Sequence, residues 1–418
     1  MRLSGCLLLV VILALPACLD PGRGRAGSRV NSEAGEGTRS GGEEGEGEGD
    51  TRPGEGEGEG QGEGEGEGEG PGEEPCETAE LDGVPGIEGL LYWDRDASNM
   101  SVHLAGYDES VDEPLAGARV RLLGPNGEQT VSSCRDGTFA FGPLEDGIYH
   151  VAPEQPEGTR CTRKNCAPST AKALSKGEIT VVTFGDSIPT EGDNTRFPSR
   201  LADLLGDLAE IDNRNVAVGG STSPDWLPGT RNFEQQLGPH IEDADVIIVS
   251  LGGNDVTRYA SNPAVLAGGV EGAIEGAYDV VEQVVANIQE ILLAVRERNP
   301  SVDFVYCLYV DYSKAEQDRF WSLIRGVLGE DSVRDIHNRA RTAIPDDQGI
   351  ILVDVFGATE DLVVDDLLAD TLHLNGAGHT LYAEEIFEVL GGVLVGESPI
   401  PTYGSSPLGL EKIFSFAE

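Results

Sequence analysis

Four short motifs in the second half of the chain hold the groups needed to attack an ester carbonyl. Gly185-Asp186-Ser187 offers a hydroxyl nucleophile and Gly220 a backbone amide. Gly252-Gly253-Asn254-Asp255 offers a side-chain amide, and Asp370-Thr371-Leu372-His373 a base three residues after a carboxylate. A serine hydroxyl is a poor nucleophile unless a base lies within hydrogen-bond reach. His373 would take the Ser187 proton, while Asp370 would fix the imidazole tautomer and stabilise the imidazolium. The amide hydrogens of Ser187 and Gly220 and the Asn254 side chain would receive the oxyanion of the tetrahedral intermediate. Each motif also has an ordinary structural explanation. A serine after a strand often caps a helix, paired glycines often make a turn, and Asp-x-x-His can be a surface ion pair. Their order and chemical completeness speak for one site.

Such a site needs elements that bring four distant loops together. Ile179–Phe184, Asn215–Val218, Val246–Leu251, Val302–Val310 and Ile350–Val355 read as buried strands. Arg200–Leu208, Tyr278–Arg298 and Phe320–Leu328 read as helices, the second with apolar residues at helical spacing. Strand alternating with helix predicts an α/β domain whose parallel sheet is covered on both faces. Functional loops then gather beyond the carboxyl ends of the strands. Three of the motifs follow a strand, and Asp370–His373 precedes the last helix. No Gly-x-Ser-x-Gly elbow occurs in this segment, which argues against the α/β-hydrolase fold.

From residue 179 to about 391 the chain resembles the SGNH (GDSL-type) esterases and lipases. Gly185-Asp186-Ser187-Ile188 resembles the first family block, with isoleucine in place of the usual leucine. Asn215–Ser223 resembles the second, whose oxyanion glycine falls on Gly220, next to Gly219. Gly252–Asp255 and Asp370–His373 resemble the third and fifth. The resemblance implies a flavodoxin-like three-layer α/β/α fold with a five-stranded parallel sheet, and a serine esterase needing no cofactor or metal. It implies Ser187, His373 and Asp370 as catalytic residues, with Ser187, Gly220 and Asn254 forming the oxyanion hole.

Other residues compete for roles. His379 is six positions after His373 but falls on the expected final helix, and His240 and His337 suit helix surfaces or caps. Asp186 and Asp255 suit structural hydrogen bonding. Cys307 lies in a strand-like run and reads as a buried, inert thiol. Trp226, Tyr259 and Tyr312 are candidate pocket aromatics.

The first half sets the expected address. Met1–Cys18 has a basic Arg2, an apolar run from Leu7 to Leu15, then Pro16-Ala17-Cys18. That run is too short to span a bilayer and suits a secretory signal. Leu15-Pro16-Ala17-Cys18 resembles a bacterial lipoprotein signal, which implies lipid on Cys18 and an exported, membrane-anchored protein on the periplasmic face or cell surface. Residues 19–75 read as a disordered linker rich in Gly and Glu. Positions 31–75 hold 16 acidic residues and two arginines, so self-repulsion and backbone entropy oppose packing. As a neutral coil the linker would span about 40 Å.

Cys76, Cys134, Cys161 and Cys166 crowd into the next ninety residues and suggest two disulfides with three possible pairings. Residues 76–170 show short strands with turn signals at Pro125-Asn126-Gly127, Asp136-Gly137 and Asp146-Gly147, which predict hairpins in an antiparallel β-sandwich. Gly-Ala-x-Val, Asp-Gly-x-Phe-x-Phe and Asp-Gly-x-Tyr-x-Val there resemble the transthyretin-like or carboxypeptidase-regulatory sandwiches, which implies a spacer in preference to a binder. The hydrolase domain is expected over 177–395, with a C-terminal tail over 396–418. The net charge of −45 at pH 7 argues against nucleic acid or anionic lipid as a partner.

The expectation is a monomeric extracytoplasmic esterase acting on a small-molecule or glycan ester. Deacetylation of a carbohydrate or cleavage of short-chain esters stands first. A lipase or lysophospholipase, or a non-catalytic surface binding protein on the same scaffold, is the alternative.

Overall fold

Val246–Ser250 is a run of Val and Ile closed by Ser, with every residue buried, as befits a strand at the middle of a parallel sheet. The computed structural model describes residues 85–95, 107–108, 110–161, 166–192, 195–267, 269–344, 349–396 and 411–417. The expected signal and linker, with Cys18 and Cys76, lie outside the described residues. In chain order the strands are β1 (Ile87–Trp93), β2 (Glu113–Pro114), β3 (Arg119–Gly124), β4 (Gly127–Ser132), β5 (Thr138–Phe141), β6 (Gly147–Pro153) and β7 (Arg160–Cys161). They continue as β8 (Glu178–Gly185), β9 (Glu210–Asn215), β10 (Val246–Ser250), β11 (Asp303–Cys307), β12 (Ile350–Val353), β13 (Gly392–Val395) and β14 (Glu411–Ala417). The helices are α1 (Pro168–Lys176), α2 (Phe197–Gly206), α3 (Gly253–Ala260), α4 (Pro263–Ala267) and α5 (Val270–Arg298). They are followed by α6 (Arg319–Leu328), α7 (Glu330–Ala343), α8 (Val355–Ala358) and α9 (Gly376–Val389).

Five parallel strands form the central sheet in the order β12-β11-β10-β8-β9. Alternate residues feed opposite faces, as the strand period demands. Val246 and Ile248 of β10 join Leu201 of α2 and Ile386 of α9 in one apolar cluster. Ile247 and Val249 join Val285, Ile288 and Leu292 of α5 in another. The order turns back at β8, which lies between β9 and β10, and such switch points are where α/β sheets bind ligands.

One strand differs from expectation. The second runs over Glu210–Asn215, upstream of the expected Asn215–Val218. It is an edge strand of alternating half-buried and exposed residues, so its polar composition concealed it.

The first half builds two further sheets. One has the order β2-β1-β14-β7 with β5 also on β1, and the other the order β13-β6-β3-β4. Apolar residues of both, including Leu91, Phe139, Val151, Val393 and Phe414, share one buried cluster. Two of these strands come from the far end of the chain: β13 pairs with β6, and β14 runs parallel to β1. Part of the expected tail is therefore a sheet strand. The turn at Pro125-Asn126 joins β3 to β4 as a hairpin. The turn at Asp146-Gly147 does not, because β5 pairs with β1 and β6 with β3, so the chain crosses between sheets there. Among the described residues no helix is long and apolar enough to cross a membrane.

Candidate active site

Strand β8 ends at Gly185, and Ser187 stands two residues beyond it. The backbone at Gly185 has φ of 140°, and a Cβ there would meet Ser250 O of the neighbouring β10 at 2.1 Å. Only glycine lets the two strand ends approach so closely. The Ser250 carbonyl then accepts the Asp186 amide at 3.0 Å, which fixes the start of the nucleophile turn.

Ser187 Oγ lies 3.0 Å from His373 Nε2. The other ring nitrogen, Nδ1, lies 2.9 Å and 3.1 Å from the two Asp370 carboxylate oxygens. Asp370 also accepts the backbone amides of Leu372 and His373 at 2.8 Å each. Burial raises its carboxyl pKa, but the His373 and Leu372 amides and the His373 ring outweigh burial and hold it below the usual carboxylate value. A short local loop thus delivers base and carboxylate as one unit.

The three expected oxyanion donors are held by cross-links between loops. Gly220 has φ of 75°, a left-handed conformation that suits glycine. Among the described residues, the amides of Ser187 and Gly220 have no protein acceptor. Ser221 ties three of the motif loops together. Its hydroxyl donates to Gly185 O at 3.0 Å and accepts Trp226 Nε1 at 2.9 Å, while its carbonyl accepts Asn254 Nδ2 at 3.0 Å. A side-chain amide has two N–H groups, so Asn254 keeps one for a ligand. Asp255 accepts the Ser223 amide and hydroxyl, and Ser223 Oγ in turn accepts Asn287 Nδ2 from α5.

Asp186 is buried beneath the nucleophile. One oxygen accepts the Ile188 amide, and the other accepts the Tyr309 hydroxyl, whose own oxygen accepts the Gly253 amide at 2.9 Å. Burial pushes the Asp186 carboxyl up to about 6 against the opposing pull of these bonds. Tyr309 therefore joins the turn after β8 to the loop after β10.

Helix α6 holds the base loop from above. Its N-cap Asp318 accepts the Thr371 hydroxyl at 3.0 Å, and Trp321 Nε1 donates to Thr371 O at 2.8 Å. The Tyr312 ring stacks on Trp321, and its hydroxyl donates to Leu372 O at 2.7 Å.

The structure brings Ser187, Asn254, Asp370 and His373 to the ends of β8 and β10 and the loop before α9, with Gly220 joined to them through Ser221. His379 is fully buried in α9, its ring facing the Phe197 amide and Glu191 O, which is a structural position. His240 faces the Arg214 guanidinium of β9. Cys307 is a buried free thiol whose pKa burial pushes up. Tyr259 and Tyr312 line the cavity beside Ser187, whereas Trp226 does not, being buried against Phe184. His337, expected on a helix surface, lines the same cavity from α7.

Sequence reasoning missed Ser221, Tyr309, Arg258 and Glu191. Arg258 Nη2 donates to Gly220 O at 2.9 Å, and Glu191 Oε2 lies 3.4 Å from His373 Nε2. Only Glu191, one turn after Ser187, and Ser221, within the second motif, carried a local signal. Among the described residues no group of three His, Cys, Asp or Glu side chains could hold a metal.

Residues 183–381 match the model of the GDSL-like Lipase/Acylhydrolase family. Among solved structures the chain is similar to the acetyl xylan esterase AlAXEase, with 17% identity over 51% of this chain and 100% of that one and a TM-score of 0.38. It is similar to the lipase Lip_vut3 from a goat rumen metagenome, with 16% identity over 51% and 98% of the chains and a TM-score of 0.39. It is also similar to phospholipase A1 from Streptomyces albidoflavus NA297, with 19% identity over 50% and 98% and a TM-score of 0.38. No curated protein matches the chain.

Proposed function

We propose, proceeding from a chain that is a carboxylic ester hydrolase with a GDSL/SGNH hydrolase domain over residues 183–381, that it acts through an acyl-enzyme on Ser187. The observation that carries this is the position of His373, with Nε2 toward Ser187 Oγ and Nδ1 toward the Asp370 carboxylate. His373 removes the Ser187 proton as Oγ attacks the carbonyl carbon. The oxyanion takes the free amide hydrogens of Ser187 and Gly220 and the spare N–H of Asn254, donors typically worth roughly 3–4 kcal/mol each in the transition state. His373 then returns the proton to the leaving alcohol. A water, activated by the same imidazole, releases the acid and restores Ser187.

The test uses the purified full chain and p-nitrophenyl acetate. Ser187→Ala lowers kcat/KM at least about a thousandfold. An alanine variant as fast as the parent would sink the nucleophile assignment. Deacetylation of a carbohydrate and cleavage of a lipid ester both suit this machinery, because the triad is indifferent to what lies beyond the ester bond.

The reading extends to the address and the accessory unit. We place the enzyme outside the cytoplasm, tethered through lipid on Cys18, with the two N-terminal sheets acting as a disulfide-stapled β-sandwich that spaces the catalyst from the membrane. The crowding of Cys76, Cys134, Cys161 and Cys166 before residue 170 supports the staple, since disulfides persist in exported segments. Cys18→Ser then abolishes incorporation of a fatty-acid label. Alkylation without reductant, read by mass, leaves Cys76, Cys134, Cys161 and Cys166 unmodified. Label retained on the serine variant would overturn the tether.

A further inference from the structure

Beside Ser187 a cavity of about 200 Å³ runs in between α3, α5, α6 and α7. For comparison, an apolar cavity of about 150 Å³ stays dry and takes a benzene-sized ligand. It is lined by Ser187 and Asn254, by Ala277 and Val281 of α5, and by Phe320, Trp321 and Ile324 of α6. The two helices flanking it are incompletely packed. Neither α3 nor α6 has a buried residue, although five of the ten residues of α6 are apolar side chains facing the cavity. The Asp318 and Trp321 bonds to Thr371 hold α6 in place over this space rather than letting it collapse.

The cavity lining includes Ser187, Asn254 and, from the base loop, Leu372, but not His373, Glu191 or Gly220. His373 must protonate the leaving alcohol oxygen, so the alcohol lies on the His373 side, beside the Glu191 carboxylate. The acyl group, bonded to Ser187 Oγ in the intermediate, then lies on the cavity side.

We propose that the apolar cavity beneath α6 is the acyl site and that the substrate is the ester of a linear aliphatic acid much longer than acetic acid. This rests on the Ser187 reading above and adds the acid to it. An acetyl group would leave nearly all of the cavity unfilled. Each methylene of a longer chain would replace water contact with apolar wall, at a limit of roughly fourfold in kcat/KM per methylene. Of the two substrate readings, the cavity favours the lipid-type ester over carbohydrate deacetylation.

The test is a series of p-nitrophenyl esters from acetate through butyrate and hexanoate to octanoate, with acetylated xylo-oligosaccharide as a further substrate, on the full chain. The expected result is a kcat/KM at least about tenfold higher for octanoate than for acetate. Two variants fill the cavity from different helices, Ala277→Phe on α5 and Ile324→Trp on α6. Each lowers the octanoate-to-acetate ratio of kcat/KM at least about tenfold. That ratio does not depend on the fraction of folded protein, so a destabilised variant still reports. Turnover abolished by Ser187→Ala but fastest on acetate or on the acetylated glycan would overturn the acyl site alone. A ratio unchanged in both filled variants would do the same. No turnover of any ester by the parent would instead overturn the hydrolase reading, and the acyl site with it.

Discussion

Glu191 Oε2 lies 3.4 Å from His373 Nε2, the same nitrogen that faces Ser187 Oγ at 3.0 Å. The His373 ring therefore sits between two carboxylates, Asp370 at Nδ1 and Glu191 beside Nε2. A negative charge at that distance stabilises the imidazolium that forms as Ser187 attacks. Glu191→Gln removes the charge and keeps the shape, so kcat/KM for p-nitrophenyl acetate falls about twofold to fivefold. An unchanged rate would mean that solvent screens the contact completely.

Tyr309 joins the nucleophile turn to the Asn254 loop through Asp186 and the Gly253 amide. Tyr309→Phe leaves a buried carboxylate and a backbone amide each short of a partner, at about 1–3 kcal/mol for the lost bonds. The expected outcome is a lower melting temperature together with a kcat reduced about tenfold, at an unchanged KM. A loss of stability with unaltered kcat would confine Tyr309 to the fold.

Asp303, at the head of β11, accepts the Thr170 amide and hydroxyl at 2.7 Å each, anchoring α1. Burial pushes its carboxyl up to about 7, against the pull of those bonds. A carboxyl raised in the native state stabilises the fold below its unfolded value, near 4, and loses that contribution as pH climbs through the native one. His150, pushed down to about 4 chiefly by burial, acts with the opposite sign over an overlapping range. The informative quantity is therefore the difference from Asp303→Asn. The melting-temperature advantage of the parent shrinks as pH rises from about 4 to about 7, and a constant difference across that range would refute the assignment.

Phe414 of β14 is fully buried in the cluster shared by the two N-terminal sheets. Phe414→Ala removes a large side chain from that cluster and should cost about 3–5 kcal/mol. Chemical denaturation read at the N-terminal sheets checks this, and a loss below about 1 kcal/mol would mean that β14 is dispensable to them.

The motif residues were legible because their chemistry is encoded locally. Asp370 and His373 are three apart on one loop, and Ser187 follows an apolar strand at once. Four of the five central strands were legible for the same reason, since buried parallel strands are continuous apolar runs. Strand β9 was not, because an edge strand with Glu210, Asp212 and Arg214 at alternate positions looks like a loop.

The chain by itself thus determined the reaction type and the α/β frame, through residue types at short spacing and apolar periodicity. Tertiary structure decided what long-range packing alone can decide. It brought β13 and β14 back to strands of the first half, and Glu191 to Nε2 of His373. It also decided that apolar residues of α3, α5, α6 and α7 surround a space instead of filling it. In sequence, Ile324 or Val281 at helical spacing reads as ordinary core. Whether such side chains interlock or leave room for a ligand depends on the distance between helix axes, which no local pattern encodes.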